Sequence, residues 1–384
     1  MKPKKLSLVI LCGGKGTRLS NCNLKTSKSM IKFGKIHFLR HIINFYSKYP
    51  FDEIILLCGF LSDQIIKKFH NKTINLIKIK CIKEKKLLGT GGALFAAKKN
   101  ISNDFIIVNS DSYLKFDLLD FLNSINNNHK MILVENTNYI SNKQLANISL
   151  KKNKVIFDNK SKYMSAGILF FKKKILEIKI KKKIFSLEEE IIAKLIRKKK
   201  IEGYCSKDFF IDFGTPKNLD YANKSLINLI KRPALFLDRD GVINHDFGYV
   251  YKIKNIKYCK NIFNFIKFYY KLGYFIFVVT NQSGIGRKYF SKKNFFYLMK
   301  IIQKKFVQED ILINEIAYCP HHPTKAYGKY KKNCICRKPK TGLFKKLNTD
   351  YLIEMKKSIF VGDKYTDYLC AKKMKIKFKY YKCY

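Results

Sequence analysis

Two carboxylates one residue apart, Asp238 and Asp240, follow the apolar run Ala234 to Leu237, and Gly241 comes immediately after. A run ending this way predicts a buried parallel strand with both acids at its carboxyl end, where open α/β sheets collect ligands. Like charges this close are costly without a cation between them, so the pair points to metal-assisted chemistry on an anion. An acidic turn after a strand is the plainer alternative. A second stretch, Gly13-Gly14-Lys15-Gly16-Thr17-Arg18-Leu19, follows the apolar run Leu8 to Cys12. Its glycines permit a tight turn that aims several backbone N–H groups at an anion, and Lys15 and Arg18 add positive charge. The offsets fit neither a Walker loop nor the dinucleotide fingerprint. A third stretch pairs Cys319-Pro320-His321 with Cys334-Ile335-Cys336. Three thiolates and one imidazole form a closed tetrahedral set suited to structural Zn²⁺, with His322 a rival to His321.

The elements that must hold these groups follow from apolar patterning. Leu8 to Cys12, Phe105 to Val108, Tyr274 to Val279 and Ile359 to Val361 read as buried strands, and Asn218 to Ile230 and Asn261 to Leu272 as helices. Ser186 to Ile201 also reads as a helix, its Ser-Leu-Glu start resembling a cap, although Glu188 could instead touch a substrate. Lys231-Arg232-Pro233 is a short linker that divides the chain into domains 1–230 and 231–384. At 384 residues, each part is long enough to bury its own core. The 47% hydrophobic content fits a globular chain, and no apolar run approaches the ~18 residues of a spanning helix.

A formal charge of +50 raises the possibility of nucleic-acid binding. The lysines are spread along the whole chain, and the joint skew toward Phe, Tyr, Ile, Asn and Lys is what an AT-rich coding sequence would give. We therefore expect no specific nucleic-acid partner and no membrane, and a charge that attracts phosphorylated substrates. Eleven mostly scattered cysteines suggest buried thiols in a reducing cytoplasm rather than a disulfide scaffold.

Asp-x-Asp-Gly-Val-Ile-Asn resembles the first motif of the haloacid-dehalogenase phosphatase superfamily. Thr280-Asn281-Gln282-Ser283-Gly284-Ile285, Arg337-Lys338-Pro339 and Gly362-Asp363-Lys364 resemble the next three, in order. The resemblance implies Asp238 as nucleophile and Asp240 as general acid and base. It also implies Mg²⁺ held by Asp238, Asp363 and the Asp240 carbonyl, with Thr280, Asn281, Arg337 and Lys338 around the phosphoryl group. Asp367 is either a further participant or a helix cap. With the Cys/His set, the region is similar to the heptose-bisphosphate phosphatase family, whose relatives include histidinol phosphatase.

Gly-Gly-x-Gly-Thr-Arg-Leu resembles the signature of sugar-1-phosphate nucleotidyltransferases. Lys28, Leu88-Gly89-Thr90-Gly91-Gly92, Asn109-Ser110-Asp111, Lys160, Ser165-Ala166-Gly167 and Asp212-Phe213-Gly214-Thr215-Pro216 follow in that family's order. The resemblance implies phosphate and base binding at Gly13, Gly14, Gly16, Thr17, Gly89, Thr90 and Gly91. It implies Mg²⁺ on Asp111 and Asp212, with charge stabilisation by Arg18, Lys28 and Lys160. Leu87, Ser27 and Ser29 stand where that family tends to have proline, and Ser110 where it has glycine.

The expected fold is therefore two Rossmann-like three-layer α/β domains: a nucleotidyltransferase with a mixed sheet, then a phosphatase with a zinc loop and no large cap. The expected activities are phosphate release from a heptose bisphosphate and nucleotidyl transfer, with GTP favoured, to the resulting sugar phosphate. Other sugar phosphates, histidinol phosphate, or nucleic-acid binding by decayed enzyme folds are the rival readings.

Overall fold

A computed structural model describes residues 5–14, 26–135 and 146–383. The chain divides into two compact units, residues 1–33 with 37–226, and residues 34–36 with 227–384. The division falls within the helix Pro216–Ile230, slightly before the Lys231-Arg232-Pro233 linker.

In the first unit Leu6–Leu11 is apolar except for the buried Ser7, as a strand covered on both faces of its sheet should be. It pairs in parallel with Glu53–Cys58 on one side and Asp104–Asn109 on the other. Tyr163–Phe171 then joins Asp104–Asn109 antiparallel, so the ten-stranded sheet is mixed. Gly13, Gly14, Ser110 and Asp111 follow the carboxyl ends of the adjacent parallel strands Leu6–Leu11 and Asp104–Asn109, and Asn109 is the last residue of its strand. A separate two-stranded pairing sets Asp212 opposite Ser112. The core beneath includes Val9, Ile55, Phe105, Ile107 and Phe171, all nearly inaccessible to solvent.

The helix expected over 186–201 is shorter in the structure. A wide turn at Glu188–Ile192 leads into Ala193–Arg197, and Ile201–Cys205 is already a strand. Lys199 adopts φ 52°, and Ile201 is fully buried in the sheet. Burying Ile201 there outweighs continuing an exposed lysine-rich helix.

The second unit has five parallel strands in the order Glu315–Cys319, Phe275–Asn281, Ala234–Leu237, Ile359–Gly362, Lys377–Tyr380. Asp238, Thr280, Cys319 and Asp363 therefore stand at one edge of one sheet. Phe236, Phe277, Phe344 and Phe360 pack beneath it. Between Asp238 and the helix Ile262–Lys271 lies loop with one short 3-10 turn at Ile253–Asn255. No helix among the described residues is long and apolar enough to cross a membrane.

Candidate active sites

In the first unit a cavity of about 320 Å³ opens where the parallel strands end. Gly13, Gly14, Lys28, Asp111, Gly89 and Thr90 line it. Lys28 forms an ion pair with Asp111. The Ser112 hydroxyl lies 3.5 Å from the Asp111 carboxylate and 3.4 Å from that of Asp212. The Phe213 amide donates to the Asp111 carbonyl at 3.2 Å. The two acids thus face one hydroxyl, and the Gly214 amide holds Asp212 from the other side at 2.6 Å. Thr90 donates to Glu188 at 2.8 Å and accepts from the Leu187 amide at 2.9 Å. The Gly91 amide donates to the Phe185 carbonyl. The Gly89–Ala96 helix start is therefore braced by the 185–188 segment. Lys160 is exposed on a turn and lines neither of the cavities that Asp111 and Asp212 border. Gly16, Thr17 and Arg18 lie outside the described residues.

In the second unit Asp238, Asp363 and Asp367 each offer a carboxylate oxygen within 4.8 Å of the others. Lys338, nearly fully buried, reaches Asp238 and Asp367 at 2.8 Å each. Three carboxylates against one ammonium leave two negative charges uncompensated, which a single divalent cation would balance. Burial and the neighbouring Asp238 charge push Asp363 up to about 6. Burial also raises Asp238, although Lys338 opposes the rise. One Asp363 oxygen, Oδ1, is buried with no hydrogen-bond donor. Gly241 is required here. Its φ is +86°, and a Cβ would sit 2.2 Å from the Asp363 carboxylate. Asp367 also sits in the first turn of its helix and accepts from the Lys364 amide, at the N-cap, at 3.3 Å.

The Asp240 carboxylate is not a member of that cluster. It accepts from Arg239 at 2.7 Å, Asn244 at 3.0 Å and Gln282 at 3.0 Å, which fixes its orientation. Asn281 exchanges hydrogen bonds with the Lys338 backbone at 3.0 and 3.2 Å. Its amide side chain thus positions the lysine. Thr280 is buried and accepts from Gln282 at 2.9 Å.

Residues 7–228 match the nucleotidyl transferase family. Over 138 residues the chain is 43% identical to a D-glycero-alpha-D-manno-heptose-1,7-bisphosphate 7-phosphatase of Campylobacter jejuni, covering 36% of this chain and 75% of that one. The chain belongs to both families. It is a nucleotidyltransferase joined to a phosphomonoesterase of the haloacid-dehalogenase type. Residues 241–380 of the phosphatase unit also match the polynucleotide kinase 3 phosphatase family. A D-glycero-beta-D-manno-heptose-1,7-bisphosphate 7-phosphatase of Haemophilus influenzae is 42% identical over 134 residues, 35% of this chain and 72% of that one. The crystal structure of HddC from Yersinia pseudotuberculosis aligns with 57% of this chain and 99% of its own, at 25% identity and a TM-score of 0.48.

The phosphatase unit gathers Cys319, His321, Cys334 and Cys336 beyond the end of strand Glu315–Cys319. Sulfur and Nδ1 atoms in this set approach to 3.1–3.6 Å. Tetrahedral bonds of ~2.3 Å to one zinc ion would set sulfurs just under ~4 Å apart, so this soft donor set fits. Hydrogen bonding to Cys319 pulls the Cys336 thiol down to about 5, toward the thiolate that a metal needs. His322 is turned to other work. Its Nδ1 accepts from the Lys325 and Thr324 amides at 3.0 and 3.3 Å, which leaves His321 as the imidazole donor. Arg337 donates to the His321 carbonyl at 3.3 Å and so braces the same loop.

Sequence reasoning passed over four residues that shape these sites. Arg239 and Gln282 hold Asp240, Ser112 joins Asp111 to Asp212, and Glu84 lines the nucleotidyltransferase cavity. Arg239 had a signal, being a charged residue between two motif acids directly after a buried strand. Ser112 and Glu84 had none, because neither lies inside a recognisable spacing.

Proposed function

We propose that the phosphatase unit removes the C7 phosphate of D-glycero-D-manno-heptose 1,7-bisphosphate, and that the first unit transfers GMP from GTP to the resulting heptose 1-phosphate. The phosphatase reading is supported chiefly by identity above 40%, over more than 130 residues, to enzymes named for that reaction. Burial first, and then the neighbouring Arg337, Arg287 and Lys325 charges, disfavour charging of His322, so these three cations lie near one another and suit a second phosphate.

In this reading Asp238 attacks phosphorus and becomes an aspartyl phosphate, while Lys338 offsets phosphoryl charge. Asp240, oriented by Arg239, Asn244 and Gln282, donates a proton to the leaving alkoxide and then takes one from the attacking water. Asp238, Asp363 and the Asp240 backbone carbonyl would hold Mg²⁺, with the Asp367 carboxylate beside them, and the ion would supply charge neutralisation and alignment of the phosphate. In the first unit Asp111 and Asp212 would hold the ion that accompanies the triphosphate. Lys28 lies beside it to offset charge on the reacting phosphates.

The guanine preference rests on Glu84. This half-buried carboxylate lines the cavity, and one oxygen, Oε2, accepts from the Leu88 amide at 3.1 Å. The other approaches Gly13 so closely that a Cβ there would lie 2.4 Å from it. Burial raises its pKa, so a donor partner stabilises its charged form. A carboxylate only accepts, and guanine presents two adjacent donors, N1–H and the N2 amine. Glu84→Gln is expected to reduce kcat/KM for GTP by roughly 10²-fold or more and to erase the preference over ATP, CTP and UTP. Pyrophosphate release with the four triphosphates and both heptose 1-phosphate anomers measures this. An unchanged GTP preference in the variant would remove Glu84 as the group that reads guanine.

The zinc reading has its own test. Cys336→Ser is expected to lose one zinc equivalent and to lower the unfolding temperature of the phosphatase unit by several degrees, on the order of 2 kcal/mol or more. Calorimetry beside elemental analysis checks it, and an unchanged zinc content would contradict it.

A further inference from the structure

A second cluster of soft donors lies elsewhere in the phosphatase unit. His245, Cys259 and Cys383 each offer one ligand atom, all within 4.8 Å of one another. None of the three belongs to the aspartate cluster or to the Cys319 set. The geometry that brings them together does not depend on the cysteines. The His245 amide donates to the Lys257 carbonyl at 2.8 Å, and the Cys259 amide to the Ile243 carbonyl at 3.1 Å. That short antiparallel ladder puts residues 243, 245, 257 and 259 on one face. The tail arrives separately. The Tyr381 amide donates to the Gly362 carbonyl at 3.0 Å, and its hydroxyl to the Lys260 carbonyl at 2.8 Å. Cys383 is thereby delivered over Cys259, with Cα atoms 4.9 Å apart.

In the structure the two sulfurs are joined as a disulfide, a pairing that the scattered cysteine spacing did not foretell. Beside them His245 has a buried Nε2 without a hydrogen-bond partner. A disulfide offers this imidazole little, since a bonded sulfur is at best a weak acceptor. Two thiolates and an imidazole around a cation would satisfy all three groups.

We propose that, with Cys259 and Cys383 reduced, His245, Cys259 and Cys383 form a binding site for a thiol-seeking divalent cation of the Zn²⁺ class. Three protein donors leave the fourth tetrahedral position to solvent, so this ion exchanges more readily than one in the four-donor Cys319 set. Occupancy ties the tail to the loop that carries Asn244, which orients Asp240, and Asp246, which pairs with Lys364 at 2.8 Å. The disulfide is the competing state. A thiol oxidant such as glutathione disulfide takes two electrons from the thiolate pair, is itself reduced to two thiols, and removes two ligands at once.

The test uses the full chain, reduced, loaded with Zn²⁺ and freed of excess metal. The double variant His245→Ala with Cys383→Ser is expected to hold about one zinc equivalent fewer than the parent, however fully the Cys319 set is loaded. With Co²⁺ the parent should show thiolate-to-metal absorption that the variant loses in part. Circular dichroism on parent and variant checks that the fold is kept. Equal zinc and cobalt signals in parent and variant would overturn the proposal. So would a parent whose Cys259 and Cys383 stay disulfide-bonded under reduction. Neither result touches the heptose reading, which phosphate release tests separately.

Discussion

Asp238→Asn is expected to abolish phosphate release, by about 10³-fold or more, while pyrophosphate release by the nucleotidyltransferase unit continues at its parental rate. Asparagine keeps the shape of the side chain, and its Oδ1 can still accept from the Arg239 amide, which reaches Asp238 at 2.7 Å. What it loses is the oxygen nucleophile and one of the three charges that make the cluster a divalent-cation site. Each tenfold of rate corresponds to ~1.4 kcal/mol, so the loss amounts to more than ~4 kcal/mol of transition-state stabilisation. Lys338 keeps Asp367 as an ion-pair partner, so the variant is expected to fold. Phosphate and pyrophosphate are followed in parallel on the same preparation. Retained phosphate release would remove Asp238 as nucleophile. Loss of both activities would contradict two independent sites.

Much of the placement of the candidate residues was legible because the motifs that carry them are short stretches at strand ends. Asp238 had to sit at the sheet edge once Ala234 to Leu237 was read as a buried parallel strand. The same logic carried Thr280 and Asp363 to that edge. What the sequence hid was set by pairing between distant segments. Nothing local says that Asp212 lies opposite Ser112, since that register belongs to a two-stranded pairing of segments about a hundred residues apart. Asp367 stayed open between a participant and a helix cap because local spacing shows only the helix, whereas the cluster needs two strand ends and the first turn of that helix brought together. The Ser186 to Ile201 helix was overestimated for a related reason. Its lysines continue a helical pattern well enough, but the sheet had a place for Ile201, which propensity cannot see. Tail residues such as Cys383 are placed by Tyr381 against Lys260, a contact without any periodic signature.

Asp111→Ala should do the reverse of Asp238→Asn: pyrophosphate release falls by about 10³-fold or more, and phosphate release from the bisphosphate is unaffected. The Asp111 carboxylate pairs with Lys28 and approaches the hydroxyl that also contacts Asp212. Its removal would strip one of the two acidic donors proposed for the triphosphate's ion and releases a largely buried lysine from its partner. The backbone contact from Phe213 to the Asp111 carbonyl does not involve the side chain, so local structure should persist. Two roles for Asp111 remain to be separated: holding a metal, and positioning Lys28. Asp111→Asn distinguishes them, because it can still contact the lysine through its carbonyl oxygen but is a poor ligand for a hard cation. If the residue holds metal, the Asn variant needs far more Mg²⁺ for half-maximal rate, and Mn²⁺, which tolerates weaker ligands, restores part of it. If the residue only positions Lys28, the Mg²⁺ requirement stays at the parental value and Lys28→Ala shows the same loss as Asp111→Ala. The two outcomes differ in a titration midpoint as well as in a rate, so a merely inactive variant cannot be mistaken for either.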